Sequence, residues 1–99
     1  MLPIVTPAEM RLIDSMAAEA VDVLIERAGA AVALAAVRMM GGTYGKRVVV
    51  IAGKGNNGAD GRVAGRRLAE RGAAVTVIDA TDLPERLPPC DLVIDAAYG

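Results

Sequence analysis

The sequence predicts an α/β protein built on a parallel sheet and entered through a pair of helices. Three observations carry this reading. The run Val48-Val49-Val50-Ile51-Ala52 has no polar alternation, the pattern of a strand buried on both faces. Two further strand-like runs follow, at 74–78 and 91–95, the first of them across a helical stretch. That order describes a parallel βαβ unit with a right-handed crossover. A glycine-rich segment, Gly53 to Gly61, lies between the first strand and its helix.

The elements follow in order. Thr6-Pro7-Ala8-Glu9 is a helix start, with Thr6 as cap, Pro7 at the first helical position and Glu9 able to reach back. Met10, Ile13 and Ala17 then share a face. A second helix is expected from about Val21 to Met40, with a stripe of Val21, Leu24 or Ile25, Ala28, Val32, Ala35 and Met39, ended by Gly41-Gly42. The Met residues at 10, 16, 39 and 40 read as core filling. A helix from about Asp60 to Arg71 should stop at Gly72, and Asp82 to Pro89 is a Pro-rich connection. The chain therefore divides into a helical pair, 6–42, and a βαβ-β half, 47–99.

Composition bounds the function. Ninety-nine residues make one domain at most. The net charge of −1 gives no basic excess for nucleic acid. The absence of His removes the commonest general base and metal ligand. The single cysteine, Cys90, allows no internal disulfide and reads as an inert thiol in a reducing compartment. No targeting segment is visible. The longest apolar run, Ala28 to Val37, is about half of a membrane span. A cytoplasmic protein with no membrane partner is expected.

The chemistry concentrates in Gly53-Lys54-Gly55-Asn56-Asn57-Gly58-Ala59-Asp60-Gly61. After a strand and before a helix, it sets free N–H groups and a helix dipole where an anion such as phosphate binds. Gly53, Gly55 and Gly58 are expected to supply positive φ and close approach to a ligand. Gly61 and Gly65, one helical turn apart, would let this helix pack close to the sheet. Gly53-x-Gly55-x-x-Gly58 also fits the dinucleotide pattern, with Asp79 placed for a ribose hydroxyl. The oxygens of Asn56, Asn57 and Asp60 suit a polar ligand or a hard cation, and Asp60 could instead cap the helix. Lys54 is an exposed charge or a phosphate contact. Arg62, Arg66, Arg67 and Arg71 read as a solvated helix face.

This loop resembles the signature of the NAD(P)H-hydrate epimerases, G-x-G-N-N-G-G-D-G. Thr6 to Gly29, with Glu9-Met10, Asp14 and Glu26-Arg27-Ala28-Gly29, is similar to the family's N-terminal helical pair. Val93-Ile94-Asp95-Ala96-Ala97-Tyr98-Gly99 resembles the segment that in the family continues as Gly-Thr-Gly. The resemblance implies a Rossmann-like three-layer α/β/α fold, of which this chain holds the first half. It implies epimerisation of the R and S forms of hydrated NADH and NADPH, so that an ATP- or ADP-dependent dehydratase, often fused in bacteria, can restore the cofactor. Substrate contacts would fall to Asn56, Asn57, Gly58, Ala59, Asp60 and Gly99. A potassium ion would be held in part by Asn57 and Asp95. No catalytic residue is assigned.

Three departures accompany the resemblance. Ala59 replaces the usual second Gly, at a cost of about 1 kcal/mol if that position takes positive φ. The stretch from Ala80 to Cys90 is short for the family. The chain ends just after a strand, where a βα loop should begin, so a fragment with little turnover of its own is expected. Two rival functions remain: an NAD-dependent oxidoreductase, which the dinucleotide pattern would serve, and a non-catalytic nucleotide-binding module. Asn56-Asn57 and the leading helices favour the isomerase over the oxidoreductase.

Overall fold

The computed structural model describes residues 6–98. Helix α1 spans Pro7–Met40, strand β1 Arg47–Ala52, helix α2 Asn56–Glu70, strand β2 Ala74–Asp79 and strand β3 Leu92–Ala96, with a single 3-10 turn at Ala80–Asp82 after β2. The three strands form one parallel sheet in the order β2-β1-β3. All three fall within a residue of their expected positions, and β1 is buried on both faces through Val48, Val49 and Val50.

The two expected helices are one. Thr6 caps α1, its Oγ1 accepting from the Glu9 N–H at 3.1 Å, and Gly41, at φ 70°, closes it 34 residues later. The intended junction, Ala17-Ala18-Glu19-Ala20, holds only good helix formers and no Gly or Pro, so nothing interrupts the hydrogen-bond ladder. Residues 7–24 of the helix are exposed throughout. The methionines correct the reading in the same way: Met10, Met16 and Met39 are exposed, and only Met40 packs against the core.

One core joins the helices to the sheet. Val48, Val50 and Ala52 of β1 pack with Ala64 and Leu68 of α2 and with Ala33 and Ala36 of α1. The face of α1 that is buried is therefore Gly29-Ala33-Ala36, one step away from the larger residues of the expected stripe. Small residues win there because the helices cross closely: a Cβ on Gly29 would lie 2.5 Å from Val63 Cβ. The expected close seat of α2 on the sheet is observed, with Gly61 against Ala96 and Val50, and Gly65 against Val50 and Val75.

A complete three-layer sandwich is not present among the described residues. Both helices share the core on one face of the sheet. The handedness rule sends the connection from β2 to β3 over the other face. Among the described residues that connection carries only the 3-10 turn at Ala80–Asp82, and Thr76, Val93 and Asp95 are exposed there.

An ionic clamp reinforces the helix crossing. Arg66 Nη2 donates to Glu26 Oε1 and Oε2 at 2.8 and 2.9 Å, and Arg67 Nη2 to Oε2 at 3.4 Å. The hydrogen bond from Arg66 is the main cause that lowers the Glu26 pKa. A carboxylate with a lowered folded pKa contributes stability above its unfolded pKa and loses it as pH falls through the folded value. The clamp should therefore hold at neutral pH and release below the ordinary glutamate range. Thermal melts of wild type and Glu26→Gln should separate at pH 7 and draw together as pH falls below the ordinary glutamate range; equal melting points at pH 7 would count against the clamp. The effect is small, because the pair is exposed.

Candidate nucleotide site

The glycine-rich stretch is tighter than its composition suggests. Only Gly53, Lys54 and Gly55 separate β1 from α2. Helix α2 begins at Asn56, not near Asp60, and Gly55 is its cap, at φ −87° and ψ −166°. Asn56, Asn57 and Gly58 are thus the first helical residues. Asp60 lies in the second turn, partly buried, and does not cap.

This start leaves the helix electrically open. No side chain caps it, and its first turn carries no acid. The Ala59 N–H bonds to the Gly55 carbonyl at 3.1 Å. The first-turn N–H groups of Asn56, Asn57 and Gly58 precede that first internal bond, and they point out at the carboxyl end of the central strand with the helix dipole behind them. The Asn56 and Asn57 residues are exposed beside them, while Gly58 is buried.

The glycines serve approach rather than backbone angle. Among the described residues, positive φ occurs at Gly41, Gly42, Gly45 and Gly72, and at none of Gly53, Gly55 or Gly58. A Cβ on Gly58 would run into the Gly53 carbonyl oxygen and lie 2.6 Å from its carbon; one on Gly53 would meet the Ala97 carbonyl. The Gly53 N–H donates to the Ala96 carbonyl at 2.8 Å, joining the turn to the end of β3. Ala59 sits in the helix without positive φ, so its methyl group carries none of the expected strain.

Asn57 and Asp95 come to the same edge of the sheet, at the head of α2 and near the carboxyl end of β3, the neighbour of β1. Strand alternation turns the Asp95 side chain away from α2, because its successor Ala96 packs against Gly61. Asp95 Oδ1 accepts from the Ala97 N–H at 3.2 Å. Among the described residues no three His, Cys, Asp or Glu side chains gather as a metal cluster. Gly99 lies outside the described residues.

Arg62 departs from the solvated face assigned to it. It folds back on the turn, with Nη1 donating to the Gly53 carbonyl at 2.9 Å and Nη2 3.8 Å from Asp79 Oδ2. Asp79, the last residue of β2, pairs in register with Ala52. Its Oδ1 accepts from the Thr81 N–H and hydroxyl at 2.9 and 2.7 Å. Those bonds, the backbone one first, lower its pKa, with help from Arg62 and Lys54. No sequence signal separates Arg62 from its neighbours, since the contact depends on the turn's shape. Two open depressions of about 320 and 490 Å³ lie elsewhere, along the flank of α1 around Val23 and Arg27.

Comparison with known proteins agrees with the resemblance read from the loop. A bifunctional NAD(P)H-hydrate repair enzyme Nnr from Thermofilum pendens is 34% identical over 128 residues, covering 93% of this chain and 24% of its own length. An NAD(P)H-hydrate epimerase from Fusarium vanettenii is 42% identical, covering 74% of this chain and 33% of its own length. One from Ajellomyces capsulatus is 37% identical, covering 79% and 43%. The chain thus spans less than half the length of these relatives. The first alignment is longer than the chain itself, so that relative carries extra residues within it. Residues 21–88 match the family described as YjeF-related protein N-terminus, and the chain belongs to that family.

Proposed function

We propose that this chain supplies the nucleotide-binding part of an NAD(P)H-hydrate epimerase, which interconverts the R and S forms of hydrated NADH or NADPH. The observation that carries the reading is the uncapped head of α2, with Asn56 and Asn57 exposed and Gly58 next to them at the carboxyl end of the central strand. An anionic phosphate suits the free N–H groups, and ligands of open α/β sheets bind at this end. Asn56, Asn57, Gly58, Ala59 and Asp60 are the proposed substrate contacts, with Gly99 beside them by resemblance. The names of the relatives support the substrate class. The bifunctional relatives support a working partnership with an ATP- or ADP-dependent dehydratase. No described helix is long and apolar enough to cross a membrane; a cytoplasmic setting belongs to this proposal, supported by the unpaired Cys90.

A potassium ion belongs to the same reading. The amide oxygen of Asn57 and the carboxylate of Asp95 are hard oxygen donors at the carboxyl end of the sheet, which fits a hard cation in kind, and Asp95 would have to turn toward α2 to share the ion. They would supply two of its ligands, leaving the rest to other oxygens. Bound there, the ion would add positive charge beside the phosphates.

The test uses the whole epimerase of which this chain is the nucleotide-binding part, given mixed R and S NADH hydrates and a dehydratase that consumes one epimer. Consumption of both epimers faster than they interconvert spontaneously is expected, and faster in KCl than in NaCl. Asn57→Ala should lower the rate about tenfold, the worth of one lost polar contact, and should remove the potassium response. Wild-type protein that leaves the spontaneous rate unchanged would refute the epimerase reading. A rate indifferent to the cation would refute the ion alone.

A further inference from the structure

We propose that Asp79, set by Arg62 and Thr81, binds the adenosine ribose of the nucleotide and selects a free 2′-hydroxyl over a 2′-phosphate. The inference rests on the reading of the α2 head as a nucleotide site and adds a direction to it. A dinucleotide with its pyrophosphate on that head can extend its adenosine toward β2 or toward β3. On the β3 side the turn is walled by backbone, because Gly53 is bonded to Ala96 and lies against the Ala97 and Tyr98 carbonyls. On the β2 side stands a carboxylate. Asp79 lies beside Ala52, one residue before the turn, at the strand spacing of about 5 Å.

The two oxygens of Asp79 differ. Oδ1 is occupied by the Thr81 N–H and hydroxyl. Oδ2 faces Arg62 Nη2 at 3.8 Å, longer than a hydrogen bond, and the side chain is 35% exposed. A fixed carboxylate with one oxygen open is an acceptor for a ribose diol. Arg62 ties this acceptor to the turn, since its other nitrogen holds the Gly53 carbonyl. A 2′-phosphate at the same place would set its charge against Asp79. The guanidinium that could offset it is already shared between Gly53 and Asp79, leaving Lys54 as an exposed charge nearby. Asp79 is an ionised carboxylate at neutral pH, as an ordinary aspartate is, and the Thr81 bonds hold its pKa lower still.

The experiment is calorimetric titration of the protein with ADP-ribose and with 2′-phospho-ADP-ribose. Asp79→Asn is the variant, because an amide oxygen can keep the Thr81 bonds while the charge is lost; circular dichroism checks its fold. Wild type should bind ADP-ribose about five- to tenfold more tightly, the scale of one charge repulsion near the surface. Asp79→Asn should bring the two affinities within about twofold, mainly by improving the phosphorylated ligand. Equal affinities in the wild type, a preference for the 2′-phosphate, or a preference untouched by Asp79→Asn would each overturn the proposal while leaving the nucleotide site intact. If neither ligand binds, the nucleotide reading falls and this inference falls with it.

Discussion

Gly58→Ala is expected to destabilise the protein by about 1–3 kcal/mol, the usual range for forcing a group into a filled space, and to weaken nucleotide binding on the order of a hundredfold. Helix propensity argues for the opposite sign. Alanine inside a helix is favoured over glycine by about 1 kcal/mol, and Gly58 is helical. The contact decides between them. A Cβ at Gly58 would meet the Gly53 carbonyl oxygen, with the carbon at 2.6 Å and the nitrogen at 2.8 Å. All three are backbone atoms, so no side chain can rotate away, and the turn itself must open. Opening it moves the Gly53 carbonyl that Arg62 grips and the first-turn N–H groups together. Gly58→Val should do the same more severely. Thermal melts and titration with NADP give the two readings, with circular dichroism to show that helix content persists. A raised melting point with unchanged affinity would mean that propensity wins and that the turn is no ligand site.

The strands were legible because each is a local pattern: the β-branched run of β1 needs no knowledge of its neighbours. The same holds for the cap at Thr6 and the stop at Gly41. What misled was context. Asn56-Asn57-Gly58 has turn composition, yet it forms the first turn of α2, because a short connection and close backbone contact leave no room for a longer loop. For the same reason Gly53 and Gly58 are required by proximity, and none of Gly53, Gly55 and Gly58 by positive φ. The apolar stripe on α1 suggested burial, but what is buried is the smaller set Gly29, Ala33 and Ala36, where a close helix crossing excludes Leu and Met. Of the candidate site residues, Asn56 and Asn57 lie exposed in the first turn of α2, and not in a loop before it. Arg62 could not be singled out, since its partner Gly53 is a carbonyl and leaves no mark in the sequence.

The contact between α2 and β3 gives the other large effect, and one that can be reversed. Gly61→Ala would set a Cβ 2.5 Å from the Ala96 Cβ and 3.2 Å from Val50 Cγ1. Ala96 and Val50 are both buried on the sheet, at 3% and 0% exposure, so the helix must lift. A cost of about 1–3 kcal/mol is expected, less the gain in helix propensity. Ala96→Gly alone should also destabilise, by loss of its buried methyl and added backbone freedom in a strand. Combined, the two changes exchange the methyl across the interface. The only tight contact left is the one to Val50, which a shift of a few tenths of an ångström relieves. The double variant should therefore be more stable than the sum of the single losses, by about 1 kcal/mol or more, a coupling expected only between touching residues. Urea melts of wild type, both singles and the double close the cycle. Strict additivity would show that α2 does not rest on β3 at this point, and the seat that presents Asn56 and Asn57 at the sheet edge would have to be held by the contacts of Gly65 and Leu68 instead.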